Sequence, residues 1–554
     1  MQAISRGFPI IFDDPADALL TWERDAMHMP FALAPLAADY VLAVGKGFND
    51  WPVRYSNSGF GDFPRRTFYR VWNGYAYMAS DPGVPESELD DLAAREVALG
   101  RARAAATATY WSASLLPELH ALYASIDRAL AGPAGPSAAA EWDSAWMAFE
   151  RTQAIHFDVV LGPNQAMDDL ARSYVAAMPH AFLGDADRLI HGRRHELFEL
   201  ELGVEELAAM VAGAPELARA IREGVTSVDM LSGLPGGRAF AVALSSFLTQ
   251  HGHMGQSADD LALASWAEEP ANLIRELRKR IDHPLEPVDR HRQRQAEEAD
   301  ALAAEVRSVL VDRPIDLESF EARLALARNI GSMTETHNYW IDRMAQARMR
   351  SLALRAGRRL VDGGVIAAPA DVLFLRRNEV GALLGIPRDR RSLVRGRRAE
   401  LATQRSTVAP SSVGGPPRLS DPVGPADQHQ GGDSPEEPAP GAGSSGDGMV
   451  LQGTGSSAGI VRGPARVVLT SDEFDRIQPG DIIVCPSSNP SWVTVFRIAG
   501  GLVTDTGGML SHAAVVAREF GLPAVTAVAG ATGRISDGQL VEIDGTRGTV
   551  RLLK

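Results

Sequence analysis

One histidine-containing loop near the end of this 554-residue chain constrains its fold more than any other feature. The segment 504–523 follows an apolar run that predicts a buried strand, and Gly507 and Gly508 predict a turn with positive φ. Ser511 stands where a helix N-cap is expected, which makes His512 the first residue of the next helix. Free backbone N–H groups and the helix dipole favour a bound anion there. The pattern therefore indicates a nucleophilic histidine, with a surface histidine at a helix start as the alternative.

The residues around His512 extend this pattern into a long motif. Gly-Gly-x-x-Ser-His-Ala-Ala-x-Val-Ala-Arg-Glu-x-Gly-x-Pro-Ala-Val begins at Gly507. It resembles the phosphohistidine swivelling domain of the phosphoenolpyruvate-utilising enzymes, a group that includes rifampicin phosphotransferase and phenylphosphate synthase. The likeness extends from about residue 450 to the C-terminus. It implies that His512 becomes phosphorylated.

The same resemblance assigns supporting roles within the motif. It implies that the loop around the phosphohistidine is supported by Gly507, Gly508, Ser511 and Arg518. Leu510 stands where the dikinases of the family usually carry threonine. This difference favours an acceptor other than pyruvate.

Length and composition limit the class of protein. A chain of 554 residues predicts two or three domains, and its single cysteine, Cys485, excludes an internal disulfide. It has no apolar run long enough for a transmembrane helix, and its N-terminus lacks the apolar core of a signal peptide. These features predict a cytoplasmic protein. The net charge of −15 argues against nucleic acid or an anionic membrane as a partner.

Residues 1–404 predict a mostly helical domain. Residues 1–85 are predicted to be irregular, apart from short strands or a hairpin suggested by alternating aromatic residues around Asn73-Gly74. Such aromatic density forms either a core or the wall of a ligand pocket. From residue 86 to about 400, alanine-rich amphipathic runs separated by Gly/Pro breaks predict successive helices. By resemblance, this is an acceptor-binding domain.

Two segments of this helical region resemble the acceptor half of rifampicin phosphotransferase and phosphoenolpyruvate synthase relatives. The first runs from Phe247 to Gly255 and contains His251 and His253, with Met254 in place of the usual arginine. Residues two apart do not share a helical face, and no zinc-ligand spacing occurs, so no metal site is predicted in this chain. The two histidines are left as either loop packing or part of a substrate pocket.

The second segment runs from Glu335 to Arg343 and resembles the last long helix of that domain. On an α-helix, Glu335 shares a face with Tyr339, and Asn338 shares a face with Asp342. His337, oriented by Glu335, is the candidate base that removes the proton of an acceptor hydroxyl. The candidates for charge neutralisation are Arg70, Arg343 and Arg348.

The remaining chain divides into a linker and a second domain. Residues 405–449 are rich in Pro, Gly and Ser and predict a flexible linker, with a reach of roughly 35–40 Å. Residues 450–554 return to dense alternating strand and helix patterns and predict a small α/β (β/β/α) swivelling domain. The fold class is therefore multidomain, a mainly α-helical domain followed by this carrier.

The sequence shows neither an ATP-grasp domain nor a phosphoenolpyruvate barrel. The expected partner is therefore a separate ATP-grasp subunit that binds ATP and Mg²⁺, as in phenylphosphate synthase-type enzymes. That subunit would load His512, and the acceptor would be a small phenolic or other aromatic hydroxyl compound, giving an aryl phosphate, AMP and phosphate. The alternatives are an antibiotic hydroxyl, a pyruvate-like acid, or a non-enzymatic phosphocarrier that regulates another protein.

Overall fold

The computed structural model describes residues 2–5, 8–26, 28–55, 65–132, 135–181, 183–255, 260–282, 286–415, 449–469, 471–488, 492–508 and 511–553. The chain forms two compact units. Unit 1 comprises Met1–Ala166, Phe247–Glu269 and Asn329–Asp421, and unit 2 comprises Met167–Ser246, Pro270–Arg328 and Pro422–Lys554. The predicted domain 1–404 is thus divided between two units. None of the described helices is both long enough and apolar enough to cross a bilayer.

The chain is mostly helical, as predicted. The α-helices in chain order are α1 Pro35–Tyr55, α2 Leu89–Tyr110, α3 Leu116–Arg128, α4 Ala138–Ala177, α5 Glu196–Ala212, α6 Pro215–Arg222, α7 Val228–Ser232, α8 Gly237–His251, α9 Pro270–Asp282, α10 Val288–Leu310, α11 Pro314–Ile330, α12 Met333–His337, α13 Met344–Asp362, α14 Arg377–Gly385, α15 Arg391–Arg405, α16 Val493–Phe496, α17 His512–Glu519 and α18 Ala531–Arg534. Short 3₁₀ segments occur at Pro15–Leu19, Glu86–Glu88, Leu183–Ile190, Pro369–Phe374 and Ser471–Arg476. Two π-helical segments, Trp111–Leu115 and Asn338–Arg343, interrupt the long helices of unit 1.

Strands lie at both ends of the chain. They are β1 Gln2–Ser5, β2 Phe8–Ile11, β3 Thr21–Arg24, β4 Arg66–Trp72, β5 Tyr75–Asp81, β6 Ser412–Gly414, β7 Val450–Gln452, β8 Thr454–Ser457, β9 Ile460–Val467, β10 Ile482–Cys485, β11 Gly501–Thr504, β12 Ala524–Thr526, β13 Leu540–Asp544 and β14 Thr549–Leu552. In the described residues, unit 1 has a β1–β2 ribbon and a sheet of order β4-β5-β3-β6. Unit 2 has a sheet of order β7-β14-β13-β9-β10-β11-β12-β8.

The predicted hairpin at Asn73-Gly74 is confirmed. Trp72 pairs with Tyr75 across the turn, and both turn residues have positive φ, 50° and 82°. This is the turn geometry that matches the right-handed twist of paired strands, and Asn-Gly is the dipeptide that adopts it most readily.

The irregular structure predicted for residues 1–85 is wrong at α1. Pro35 begins this helix, where a missing N–H costs no hydrogen bond. Helix α1 packs closely on α4: Tyr40 stacks on Phe149 at 4.6 Å, and a Cβ at Gly47 would lie 2.5 Å from the Cβ of Gln153. Tertiary packing therefore holds a helix whose sequence gives little local signal.

The first residues of the predicted linker are part of a sheet. Ser412–Gly414 pair antiparallel with β3, in register Thr21 to Gly414 and Glu23 to Ser412. The Tyr77 hydroxyl also donates a hydrogen bond to the Pro410 carbonyl at 3.0 Å. Residues 416–448 lie outside the described residues, so a flexible linker there stays a prediction.

Unit 2 holds a helical part, residues 167–328 without 247–269, and a sheet part, residues 449–553. The helical part has a core of apolar side chains from α4, the Leu183–Ile190 segment, α10 and α11, including Leu170, Leu189, Val306 and Phe320. The sheet part is built on parallel strands β9 to β12 and a fully buried apolar core. The strands predicted in residues 450–554 are confirmed.

Candidate functional site

The histidine loop lies at the carboxyl end of a central parallel strand. In β11, Val503 pairs with Val484 of β10 on one side and with Val525 of β12 on the other. Loops at the carboxyl ends of parallel strands are where open α/β sheets bind ligands. Helix α17 begins at His512, as predicted. Leu510 and the His512 side chain lie outside the described part of the structure.

Hydrogen bonds fix the first half of this loop to the sheet. The Asp505 and Thr506 N–H groups donate to the carbonyls of Cys485 and Pro486, at 3.0 and 3.1 Å. The Asp505 carboxylate accepts from the Thr532 N–H at 2.8 Å. Burial and the charge of Asp505 raise the pKa of the Cys485 thiol, which keeps it protonated and unreactive. The first half of the loop is therefore held in place by the sheet.

The second half of the loop depends on a glycine. Gly507 has a φ of 109°, as predicted, and a Cβ there would lie 3.0 Å from Ser511 Oγ. Ser511 is at the N-cap position, but its hydroxyl donates to the Gly508 carbonyl at 2.7 Å and makes no capping bond to the helix. Ser511 thus closes the turn, and the N–H groups that begin α17 are not satisfied by its side chain.

We expect Gly507→Ala to destabilise unit 2 by about 1–2 kcal/mol, because an L-residue resists this backbone conformation and its Cβ crowds Ser511. Thermal unfolding measures the effect. Gly508→Ala is the matched control, since a Cβ at Gly508 enters open space. Equal midpoints for both variants would show that the positive φ of Gly507 is not required.

Arg518 ties helix α17 to the helical part of unit 2. Its Nη2 lies 2.5 Å from the Asp187 carboxylate, and its Nη1 donates to the Ser456 carbonyl at 3.0 Å. The Arg518 side chain is only 5% exposed. Burial and the Arg518 charge lower the pKa of the neighbouring His191 to about 3, so this imidazole is neutral. The arginine predicted to support the loop thus also anchors the sheet part.

Other polar contacts join the same two parts of unit 2. Arg497 lies 3.5 Å from the Glu201 carboxylate, which also pairs with Arg280 at 2.8 Å. The Lys279 ammonium donates to the Phe474 carbonyl. Buried ion pairs add little net stability over hydrated charges. These contacts therefore fix the orientation of the sheet part on the helical part without binding the two parts strongly.

Asp187→Asn is expected to loosen the contact between the two parts of unit 2. It leaves the Arg518 guanidinium buried without its counter-charge, a change that costs about 3–5 kcal/mol for buried pairs. Faster hydrogen–deuterium exchange in Leu183–Ile190 and in α17 would report the separation. Asp185→Asn, on the same 3₁₀ segment, is the control, and matching exchange in the two variants would contradict the anchoring role.

A second cluster of titratable side chains lies in unit 1. Asp342 Oδ1 is 3.3 Å from His156 Nδ1, and Asp342 Oδ2 is 3.6 Å from His337 Nε2. The two imidazole rings contact edge to face, with centroids 4.7 Å apart. All three side chains are 15–19% exposed, so they are largely buried but reachable.

Burial and mutual charges set the protonation of this cluster. Burial, and then the charge of His156, lower the pKa of His337 to about 4, so His337 is neutral at pH 7. Burial alone would raise the pKa of Asp342, but the charge of His156 and its hydrogen bond to Asp342 outweigh burial, and the pKa falls to about 2. The cluster therefore presents an ionised carboxylate beside a neutral imidazole, a pair able to accept a proton or bind a cation.

A π-helical segment brings His337 and Asp342 together. Residues five apart lie on different faces of an α-helix, but the wider turn of Asn338–Arg343 aligns them. The Tyr123 hydroxyl donates to the Trp340 carbonyl inside this segment. A side chain of α3 thus supports the altered backbone, and such segments occur frequently at functional sites.

His251 and His253 lie beside this segment. The Tyr339 hydroxyl is 2.9 Å from His251 Nδ1, and the Tyr339 ring contacts the His253 ring at 4.5 Å. Burial lowers the pKa of His251 to about 4 and that of His253 to about 3. Both are neutral and buried, and Tyr339 contacts both rings, so either role, packing or part of a substrate pocket, stays a prediction.

The other predicted residues divide between this region and elsewhere. Glu335 is buried, accepts a hydrogen bond from Asn338 at 3.3 Å, and opposes the lowering of the His337 pKa. Arg343 is buried and donates to Gln346 at 3.1 Å; Arg348 pairs with Asp127 at 3.2 Å. The charges of both arginines reach His253. Arg70 is instead held by Asp17 at 2.7 Å, which indicates a structural ion pair.

Two members of the cluster have little sequence signal. His156 is a single histidine within the 40-residue helix α4, where nothing separates it from a packing residue. Asp342 appears only as a partner of Asn338 on an ideal α-helix, and the π-helical segment changes that partner. Only the fold brings His156 to the second segment, 186 residues away.

Comparison with known proteins agrees with the loop and the sheet. Residues 477–548 match the model of the PEP-utilising enzyme mobile domain, and residues 160–335 match that of the rifampicin phosphotransferase fourth domain. Rifampicin phosphotransferases of a Streptomyces species and of Bacillus subtilis are 33% and 27% identical over 64% and 66% of this chain. Chondramide synthase of Chondromyces crocatus is 30% identical over 99% of it.

These matches confirm the predicted relationship. The chain contains a mobile domain of the PEP-utilising enzyme type and a rifampicin phosphotransferase fourth-domain segment, and it resembles rifampicin phosphotransferase. It spans 40% and 41% of the two rifampicin phosphotransferases and 14% of the chondramide synthase.

Proposed function

We propose that this chain transfers a phosphoryl group from phosphorylated His512 to the hydroxyl group of a small aromatic acceptor bound in unit 1. The observation that carries the proposal is the mobile-domain match around a helix that begins at His512. The glycine turn before that helix, and a first turn that the Ser511 side chain does not cap, suit a phosphoryl group.

In the proposed step, the acceptor oxygen forms a bond to phosphorus as the N–P bond to His512 breaks. The imidazole keeps the electron pair of that bond, and the hydroxyl proton is lost to the His156–His337–Asp342 cluster or its surroundings. His337, the base suggested by the sequence, belongs to this cluster. Most of the rate enhancement in such transfers comes from positioning and charge stabilisation.

Aromatic rings around the cluster support an aromatic acceptor. Phe48 and Phe157 contact the His156 ring, with centroids 5.0 and 5.2 Å away. On the π-helical side, Trp340 contacts the His120 ring at 5.4 Å. Such rings favour a flat apolar body by offset or edge contacts. These rings, rather than the aromatic residues around Asn73-Gly74, would form the proposed wall.

The source of the phosphoryl group is a separate part of the proposal. ATP, bound with Mg²⁺ by an ATP-grasp subunit, would be cleaved to AMP and phosphate while its β-phosphoryl group passes to His512. The products with a phenolic acceptor are then an aryl phosphate, AMP and phosphate.

A second candidate acceptor is an antibiotic hydroxyl group. It is favoured by the relatives named rifampicin phosphotransferase, at 33% and 27% identity. A pyruvate-like acid and a protein acceptor, which would make the chain a regulatory phosphocarrier, are the remaining alternatives.

A transfer assay distinguishes these acceptors. The chain is phosphorylated with labelled phosphoramidate, a small N–P donor, so the test does not depend on the ATP-binding partner. The labelled protein is then incubated separately with simple phenols, rifampicin and pyruvate. Label in an aryl phosphate is the expected result. Transfer to rifampicin or pyruvate alone would replace the phenolic acceptor, and transfer to none of them would reject the small-molecule acceptors.

A further inference from the structure

We propose that His156, His337 and Asp342 form a binding site for a divalent cation of the zinc class. The site joins two imidazoles from different elements, α4 and α12, to a carboxylate from the π-helical segment. One ligand atom from each residue lies within 4.8 Å of the others. The sequence, which predicts no metal, does not reveal it because its ligands are far apart along the chain.

The distances also suit a shared cation. His156 Nδ1 and Asp342 Oδ1 make a long hydrogen bond at 3.3 Å, whereas His337 Nε2 and Asp342 Oδ2, at 3.6 Å, lie beyond hydrogen-bond length. Ligands bound tetrahedrally at about 2.0–2.1 Å are separated by about 3.3–3.4 Å. Asp342 therefore stands about one tetrahedral edge from each histidine. A cation between them needs only small side-chain adjustments.

The donor set selects the type of cation. Two imidazole nitrogens and one carboxylate suit Zn²⁺ and its transition-metal neighbours, whereas Mg²⁺ prefers oxygen ligands. Helices α4 and α12 and the π-helical segment hold the three groups on helical backbone. Three protein ligands leave a fourth position open, as in catalytic zinc sites.

The use of that open position rests on the proposed function. An acceptor hydroxyl bound there would have its pKa lowered by the cation, as bound water does. It would then attack phosphorylated His512 as an oxyanion after releasing its proton to water. With the cation bound, His337 would be a metal ligand and not the base. The cation, by lowering the pKa of the hydroxyl, would then promote the loss of the proton.

Metal titration of the full chain tests the site. We expect one tightly bound Zn²⁺ per chain, displaced by Co²⁺ but not by excess Mg²⁺. His156→Gln, His337→Gln and Asp342→Asn should each weaken binding at least tenfold, whereas His180→Gln, at an exposed histidine of unit 2, should bind like the wild type. Absence of one-to-one Zn²⁺ binding by the wild type, or wild-type binding by all three folded variants, overturns the proposal.

Two further measurements keep the test decisive. If a variant fails to fold, the visible spectrum of the wild type with Co²⁺ decides: tetrahedral coordination supports the site, and a hydrated octahedral ion overturns it. Zn²⁺ should also raise the unfolding temperature of the wild type and not that of the folded ligand variants. Binding is measured without donor or acceptor, so its failure leaves phosphoryl transfer from His512 standing. A failure of transfer with intact metal binding rejects the proposed function alone.

Discussion

His512→Ala is expected to abolish phosphoryl uptake by the chain. The imidazole is the proposed nucleophile, and no other side chain of the loop has a comparable nitrogen. Because alanine keeps the helix propensity at the start of α17, the fold should persist. Label from phosphoramidate, or from β-labelled ATP with an ATP-grasp partner, should fall to background. Thermal unfolding should remain close to that of the wild type.

His180→Ala is the matched control for this experiment. His180 is an exposed histidine of the same unit, so its loss should leave uptake unchanged. Acid lability of the label distinguishes a phosphohistidine from a phosphoserine, which matters because Ser511 is adjacent. If His512→Ala still takes up acid-labile label at the wild-type level, the central assignment of the carrier residue is wrong.

Local sequence rules predicted the sheet part of unit 2 well. Its strands are short apolar runs separated by glycine turns, and the positive φ of Gly507 and the start of α17 at His512 are both local features. The hairpin at Asn73-Gly74 was predictable for the same reason. Where the conformation depends on neighbouring residues in the chain, the residue types are sufficient.

Features that depend on distant packing were not predictable in this way. Helix α1 forms because Gly47 and Tyr40 allow close contact with α4. No pattern within residues 35–55 predicts that α4 is the helix it packs on. The boundaries of the two units at residues 166 and 246 fall inside helices α4 and α8, so no helix end marks them. Strand β6 likewise depends on pairing with β3, almost 400 residues earlier.

The acceptor-site prediction was limited by helix geometry. An ideal α-helix pairs Asn338 with Asp342, whereas the π-helical turn places Asp342 beside His337. No residue pattern marks such a turn, because its extra residue is stabilised by side chains from elsewhere, here Tyr123. The sequence therefore names His337 as a candidate but does not place Asp342 or His156 beside it.

The polar contacts of Arg518 and Arg497 would affect how easily the sheet part, as the proposed carrier, leaves the helical part of unit 2. Separation of an apolar surface costs free energy in proportion to its area, whereas separated ions are hydrated again. The pairs with Asp187 and Glu201 thus specify one docked orientation while keeping its release inexpensive. Salt should favour release only weakly, because both arginine side chains are nearly inaccessible.

Replacing Asp342 should separate the two half-reactions. In Asp342→Asn, the negative charge that opposes the lowering of the His337 pKa is lost, and a bound cation loses its anionic ligand. Proton removal by a positioned group contributes about 10²–10⁴-fold to a rate, so transfer from phosphorylated His512 to the acceptor should fall by this factor. Uptake of label should not change, because Asp342 is in unit 1 and His512 is in unit 2. Single-turnover decay of labelled protein with saturating acceptor measures the transfer step directly.

Asp127→Asn, which breaks only the exposed pair with Arg348, is the matched control and should stay within about twofold, since exposed ion pairs are worth about 0–1 kcal/mol. Equal decay rates in the two variants would remove the cluster from the reaction, whereas a loss of uptake in Asp342→Asn would show that it acts before transfer.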